Sequence, residues 1–339
     1  MGLQPPGAVG RRGLDMTARV GALELPNPVM TASGTAGHGA ELGAYFDLSG
    51  LGAVVVKSLS AEPWEGNPPP RLVPAAAGML NSVGLHNPGI DAWAREHLPA
   101  LAKAGARVVV SVWARSPAGY EEVGRRVVAV ASGRRAGTVV AVEANISCPN
   151  LEDRGRMFAH SPNAAATAIE ALARGLQGSD LPLWAKLSPN VADLVEVAGA
   201  VLGAGAEGLT LVNTLMGMSV DPLTGTPTLG AGGGGLSGPA LHPVAVRAVY
   251  ECRQAFPSAA IVGVGGVMTG YDAAEFLAAG ADAVQVGTAT FAEPRAPRRV
   301  LDELERWCTG QGLASVRELG KRGPGLASVR QLGKWGPGL

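Results

Sequence analysis

Cysteine is scarce in this 339-residue chain: Cys148, Cys252 and Cys308 are the full set, and no two share a CxxC spacing. Neither a disulfide framework nor a zinc knuckle is indicated, and a reducing, cytoplasmic setting is expected. Histidines in HExxH-like spacings are missing too, so no metal site is expected. There is no excess of charge: 28 Lys and Arg balance 28 Asp and Glu. That balance argues against a broad nucleic-acid-binding face and leaves room for a local basic pocket. No uninterrupted apolar run reaches the roughly 18 residues of a membrane span. The opening MGLQPPGAVGRRGLDM lacks the apolar centre of a signal peptide. No GxGxxG follows an early strand, which weakens a dinucleotide-binding reading.

What the chain does have is apolar residues (47%) and 49 glycines, enough for a large core with many tight turns. Eight runs read as strands: 29–33, 53–58, 106–113, 139–147, 182–188, 208–213, 259–265 and 282–287. Most are continuously apolar, as strands covered on both faces are. Helical patterns lie between them, at 87–105, 117–134, 161–176, 190–205 and 270–280. Ser116–Pro117 and Ser161–Pro162 are cap-plus-first-turn signals, and Asn190 opens the fourth helix. Eight strands with helical crossovers predict a (β/α)8 TIM barrel rather than an open doubly wound sheet.

Two insertions, 59–86 and 214–238, follow strand ends and are expected as long irregular loops over the active C-terminal face. Near the C-terminus, GLASVRELGKRGP (312–324) is repeated as GLASVRQLGKWGP (325–337), too short a period for a solenoid. One copy suits a short helix. Three regions are expected: a flexible extension over 1–17, with Met16 a candidate start; the barrel over 18–320; and a duplicated, disordered tail over 321–339.

Several polar residues fall where packing needs none. Lys57 and Lys186 end apolar strands. One such lysine would simply reach solvent, but two at one mouth favour an anionic ligand. Asn145 and Asn213 end further strands, with Asn81 and Asn150 on loops above. Any one of them is an ordinary turn residue; four converging amides suit a planar ring with carbonyl and N–H groups. GVGGVMTG (263–270) and VGTATF (286–291) place glycines after the last two strands, where barrels commonly bind phosphate. Cys148, in NISCPN, sits on a polar loop and is the candidate base; Cys252 and Cys308 fit helix packing. His38 and His86 are candidate rim residues.

NISCPN, PNPVMTASGTAGHG, VVVKSLS, NSVGLHNPG, WAKLSPN, LVNTLMGMSVDPLTG, GGLSGPALHPVA and IVGVGGVMTGYDAAEFLAAGADAVQVGTA together resemble the dihydroorotate dehydrogenases, in order, over about residues 18–319. The cysteine of NISCPN resembles class 1, since class 2 carries serine there. NTLMGMSVDPLTGTP resembles the NAD-linked class 1B. The resemblance implies an FMN-binding barrel that oxidises dihydroorotate to orotate in pyrimidine biosynthesis, with Cys148 as base. It implies that Lys57, Asn81, Asn145, Asn150, Asn213 and Thr214 hold or line the site of the pyrimidine. Ala32, Ser33, Gly34, Lys57, Ser58, Ser111 and Asn145 would lie at the isoalloxazine, Lys186 near flavin N1, and Gly238, Gly265, Gly266, Gly287 and Thr288 at the ribityl and phosphate. It further implies a homodimer core, and a heterotetramer with an iron–sulfur flavoprotein carrying FAD and a [2Fe–2S] cluster. A lid role for 148–160 follows from the placing of the base.

The chain departs from the family at SVWARS, where an asparagine–x–alanine–glycine run is usual, so that Ser111 replaces an amide and Trp113 adds bulk. Other readings are a class 1A-like homodimer reducing fumarate, a flavin enzyme acting on another dihydropyrimidine, and a barrel that only binds FMN or a phosphate metabolite.

Overall fold

The computed structural model describes residues 13–133, 135–147 and 157–321. Two short strands, β1 (Ala18–Val20) and β2 (Leu23–Leu25), pair as an antiparallel hairpin. The chain then runs through β3 (Val29–Thr31) and β4 (Val54–Val55). An excursion follows, through β5 (Leu72–Ala75) and β6 (Gly78–Asn81). Helices α1 (Ile90–Glu96) and α2 (Leu98–Lys103) lead to β7 (Val108–Val112). Next come α3 (Pro117–Ala131), β8 (Val139–Asn145), α4 (Pro162–Gly175), β9 (Leu183–Leu187), α5 (Leu194–Gly203) and β10 (Gly208–Leu211). A second excursion holds β11 (Leu215–Gly217) and β12 (Gly234–Ser237). The chain ends through α6 (His242–Ala255), β13 (Ala260–Val264), α7 (Gly270–Ala279), β14 (Ala283–Val286), α8 (Ala289–Ala292) and α9 (Ala296–Gly310).

Eight parallel strands form one sheet in the order β3-β14-β13-β10-β9-β8-β7-β4. A parallel bridge between Met30 and Ala53 joins its two ends, and the sheet closes as a (β/α)8 barrel. All eight expected strands are in it. Successive strand side chains alternate between faces, which divides the core in two. Val55, Val109, Ala141, Trp184, Val262 and Ala283 pack together inside the barrel, with Ala18, Val20 and Leu25 of the hairpin plugging that layer. The larger cluster, including Val54, Val108, Val110, Val142 and Leu209, packs outward on the helices. Cys252 and Cys308 are buried in this outer layer, and burial pushes the Cys252 thiol up to about 12, so both are packing residues.

Several boundaries differ from expectation. The helix expected over 87–105 is broken at His97. Pro99 lacks the N–H that an unbroken helix would direct to the Arg95 carbonyl. Helix α5 is capped not by Asn190 but by Asp193, whose carboxylate accepts a 2.9 Å bond from the Glu196 N–H. The expected caps Ser116 and Ser161 are in place, and α7 is capped by Thr269 within a capping box with Asp272. Both insertions are more regular than expected, since β11-β12-β6-β5 form a four-stranded antiparallel sheet. Glycine permits this closeness: a Cβ on Gly235 would collide with the Thr214 side chain.

Residues 14–17, expected in the flexible extension, are tied to the barrel. Leu14 and Met16 pack on the outer core, and Asp15 bonds Ala314, Val316 and Arg317. That contact holds part of the first tail copy, where Leu313, Val316 and Leu319 are buried. The second copy lies outside the described residues.

Candidate active site

The C-terminal ends of the barrel strands and the small antiparallel sheet enclose a cavity of about 550 Å³, within the range of small-molecule and cofactor sites. Lys57, just beyond β4, lines it. Burial, with a lesser contribution from Arg71, lowers the Lys57 ammonium from 10.5 to about 8. No carboxylate among the described residues pairs with it. Lys186, on β9, also lines the cavity while nearly buried. Its Nζ lies 3.7 Å from Glu143 Oε1. Two basic side chains at one cavity, only Lys186 having a carboxylate beside it, give it a place for an anionic or electron-rich ligand.

A network of amides and hydroxyls crosses the cavity floor. Asn145, ending β8, donates from Nδ2 to Ser58 Oγ at 3.1 Å, and its Oδ1 accepts from Asn213 Nδ2 at 3.3 Å. The same Oδ1 accepts from the Ser147 N–H at 3.2 Å, which fixes where the chain leaves the barrel toward Cys148. Ser58 Oγ lies 3.2 Å from Ser33 Oγ and 2.9 Å from Ser111 Oγ. Asn81, on β6, donates to the Gly235 carbonyl at 3.1 Å. Thr214 N–H donates to Asn213 Oδ1 at 2.9 Å.

At the late strands, Gly265, Gly266, Gly287 and Gly238 border the same cavity. Gly266 has φ +68°, and a Cβ there would lie 2.7 Å from His242 Cβ and 2.8 Å from the Gly238 carbonyl oxygen. Only glycine fits there. Thr288 Oγ1 donates to Ser237 Oγ at 2.8 Å across the cradle.

Of the residues expected at the site, Ala32, Ser33, Gly34, Lys57, Ser58, Asn81, Asn145, Lys186, Asn213, Thr214, Gly238, Gly265, Gly266, Gly287 and Thr288 line this cavity. Ser111 does not; it is fully buried one layer below and reaches the cavity only through Ser58. Cys148, Asn150 and most of the expected lid lie outside the described residues. His38 and His86 line not this cavity but a neighbouring one of about 530 Å³, with His97. Burial and the nearby Lys57 charge push His38 down to about 4. Trp64 borders both cavities. It stacks edge-on against the buried Trp113 at 5.7 Å and lies under the Arg115 guanidinium at 4.8 Å.

Asn190 is a site residue that sequence reasoning missed. Its Nδ2 donates to the Thr214 carbonyl and Ser188 Oγ, each at 2.9 Å, and its Oδ1 accepts from the Met216 N–H at 2.8 Å. It thereby fixes the loop that carries Asn213 and Thr214. The signal that could have found it is its place in LSPN, just past the β9 end that bears Lys186.

The model of the dihydroorotate dehydrogenase family matches residues 16–307. The chain belongs to that family. It is 43% identical over 304 residues to the dihydroorotate dehydrogenase B (NAD(+)) catalytic subunit of Trichlorobacter lovleyi, covering 90% of this chain and 97% of the relative. Similarity to the proteins of the same name from Geotalea uraniireducens (43%, 90% and 97%) and Desulforudis audaxviator (44%, 88% and 94%) is comparable. Family membership calls for FMN, and the cavity fits it chemically. The glycine cradle leaves room against backbone for a phosphate, and Lys57 and Lys186 line the same cavity with positive charge that would suit an anionic flavin ring. The hydroxyl of Ser147, buried without a hydrogen-bond partner, awaits one at the cavity wall.

Proposed function

We propose that this chain is the FMN-binding catalytic subunit of an NAD-linked dihydroorotate dehydrogenase, oxidising dihydroorotate to orotate in pyrimidine biosynthesis. The observation that carries this reading is the convergence of Lys57, Asn81, Asn145, Asn213 and Thr214 on one cavity with Lys186 and the late-strand glycines. Lys57 offers an ammonium for the substrate carboxylate. The three asparagines, with Asn150, match the carbonyl and N–H groups of a dihydropyrimidine. Cys148 takes the proton from C5, which is acidified by the adjacent carbonyl, and needs surroundings that favour its thiolate. FMN, when bound, supplies the acceptor for the hydride that leaves C6. Ala32, Ser33, Gly34 and Ser58 would hold its ring system, Lys186 would stand near N1, and Gly238, Gly265, Gly266, Gly287 and Thr288 would hold the ribityl and phosphate. Of the expected lid, Phe158 and Ala159 are buried in the outer core.

Electrons then leave for a partner. Cys252 and Cys308 are buried on separate helices, and three cysteines cannot ligate a cluster that needs four. An iron–sulfur flavoprotein with FAD and a [2Fe–2S] cluster fills that role, in an assembly of two copies of each chain. Met216, Leu72 and Phe291 line the cavity and are exposed, and Met218, Val220 and Leu223, further along the excursion after β11, are exposed too. Such an apolar patch suits a docking surface. Among the described residues no helix is long and apolar enough to cross a membrane, in keeping with a cytoplasmic location. Reconstitution tests the reading: the chain alone should reduce NAD very poorly with dihydroorotate, and adding the iron–sulfur flavoprotein should restore turnover. Efficient NAD reduction by the chain alone would overturn the partner assignment.

A further inference from the structure

Beneath the cavity lies a buried charge with no part in the reaction described above. Glu143 is wholly inaccessible. Its register partner on β9 is Trp184, while Asn145 is paired with Lys186, so the carboxylate sits one pleat below the lysine. Its Oε2 accepts a 2.7 Å bond from Gln285 Nε2. Gln285 is on β14, four places from β8 in the strand order, so this bond spans the barrel bore from opposite walls. The other oxygen, Oε1, makes no hydrogen bond and lies 3.7 Å from Lys186 Nζ. A buried carboxylate and ammonium seldom repay their desolvation as stability, and an apolar pair would serve packing as well. What the arrangement does is anchor one carboxylate from across the barrel and leave its free oxygen facing the ammonium that lines the cavity.

We propose that Glu143 is a positioning residue that holds the Lys186 ammonium under the flavin and offsets part of its charge, thereby setting the redox balance of bound FMN. Gln285 keeps the carboxylate in place. Lys186 alone would favour the reduced, anionic ring; Glu143 moderates that preference so that electrons can still pass onward. The inference rests on the FMN reading, and the two fail separately: a colourless protein that cannot be reconstituted with FMN defeats that reading, whereas this one is decided on the yellow protein.

The test is the midpoint potential of the bound FMN, measured by anaerobic dye-linked titration. Glu143→Gln keeps the shape and an amide for Gln285 while removing the charge. The oxidised–reduced equilibrium should shift at least tenfold toward reduced flavin, about 30 mV for a two-electron couple. Repeated in a Lys186→Met background, the same substitution should shift it less than about twofold, because the carboxylate then has no ammonium to hold or offset. Glu143→Asp retains the charge but withdraws it by one methylene, and should move the potential in the same direction by a smaller step. It decides the matter if the glutamine variant fails to fold. A wild-type potential in the folded variants would overturn the proposal, as would an equal shift with and without Lys186.

Discussion

Lys57 is held at a cost to the fold that can be measured. Burial lowers its ammonium from 10.5 to about 8. A difference of that size corresponds to about 3 kcal/mol against the folded state while the group is charged. Below about pH 8 the lysine is protonated in both folded and unfolded chains, and the full cost applies. Between about 8 and 10.5 the unfolded chain keeps the proton that the folded one has released, so stability from this group rises with pH across that window. Lys57→Met keeps the apolar stem and removes the charge. For a chain of this length the unfolding entropy is about 0.7 kcal/mol/K. The ligand-free variant should therefore melt about 4 °C above the wild type near pH 7, with the gap narrowing to about 1 °C near pH 10. Other titrating groups are common to both proteins and cancel in the difference. Calorimetry on both proteins reads the gap. Orotate should then stabilise the wild type and scarcely affect the variant, because the charge is kept for the ligand. A variant that is less stable at both pH values, or a gap that does not change with pH, would refute the reasoning.

Two further outcomes follow from the site. Cys148→Ala should retain FMN and slow its reduction by dihydroorotate by about 100-fold or more, the scale of a lost acid–base group; stopped-flow bleaching of the flavin measures it, and an unchanged rate would remove Cys148 from that role. Gly266→Ala must place a Cβ against His242 and the Gly238 carbonyl at φ +68°, so FMN affinity should fall by about tenfold or more, equivalent to about 1.4 kcal/mol, as read by flavin fluorescence on release.

The barrel was legible because its strands are continuous apolar runs with helical patterns between them, and Lys57, Lys186, Asn145 and Asn213 stood out as polar ends to such runs. What stayed hidden has physical causes. Asparagine serves helix caps and loop braces alike, so Asn190 read as a cap although its side chain ties Thr214 and Met216 to the β9 end. The small antiparallel sheet was hidden because β12 is GGLS and β11 is LMG, compositions with little strand preference. Strand alternation tells which face a residue takes but not its depth. Ser111 and Glu143 therefore could not be placed below the cavity from spacing alone. The tilt of His38 and His86 into a separate cavity depends on how the loops over β4 fold back, which no local pattern encodes.

The central claim is that this cavity oxidises dihydroorotate at a bound flavin. Its most direct test is an anaerobic titration of the purified yellow protein, without partner or acceptor, with dihydroorotate. The account predicts bleaching of the flavin with one orotate formed per FMN reduced. Flavin that stays oxidised while the protein remains folded and loaded with FMN would contradict it.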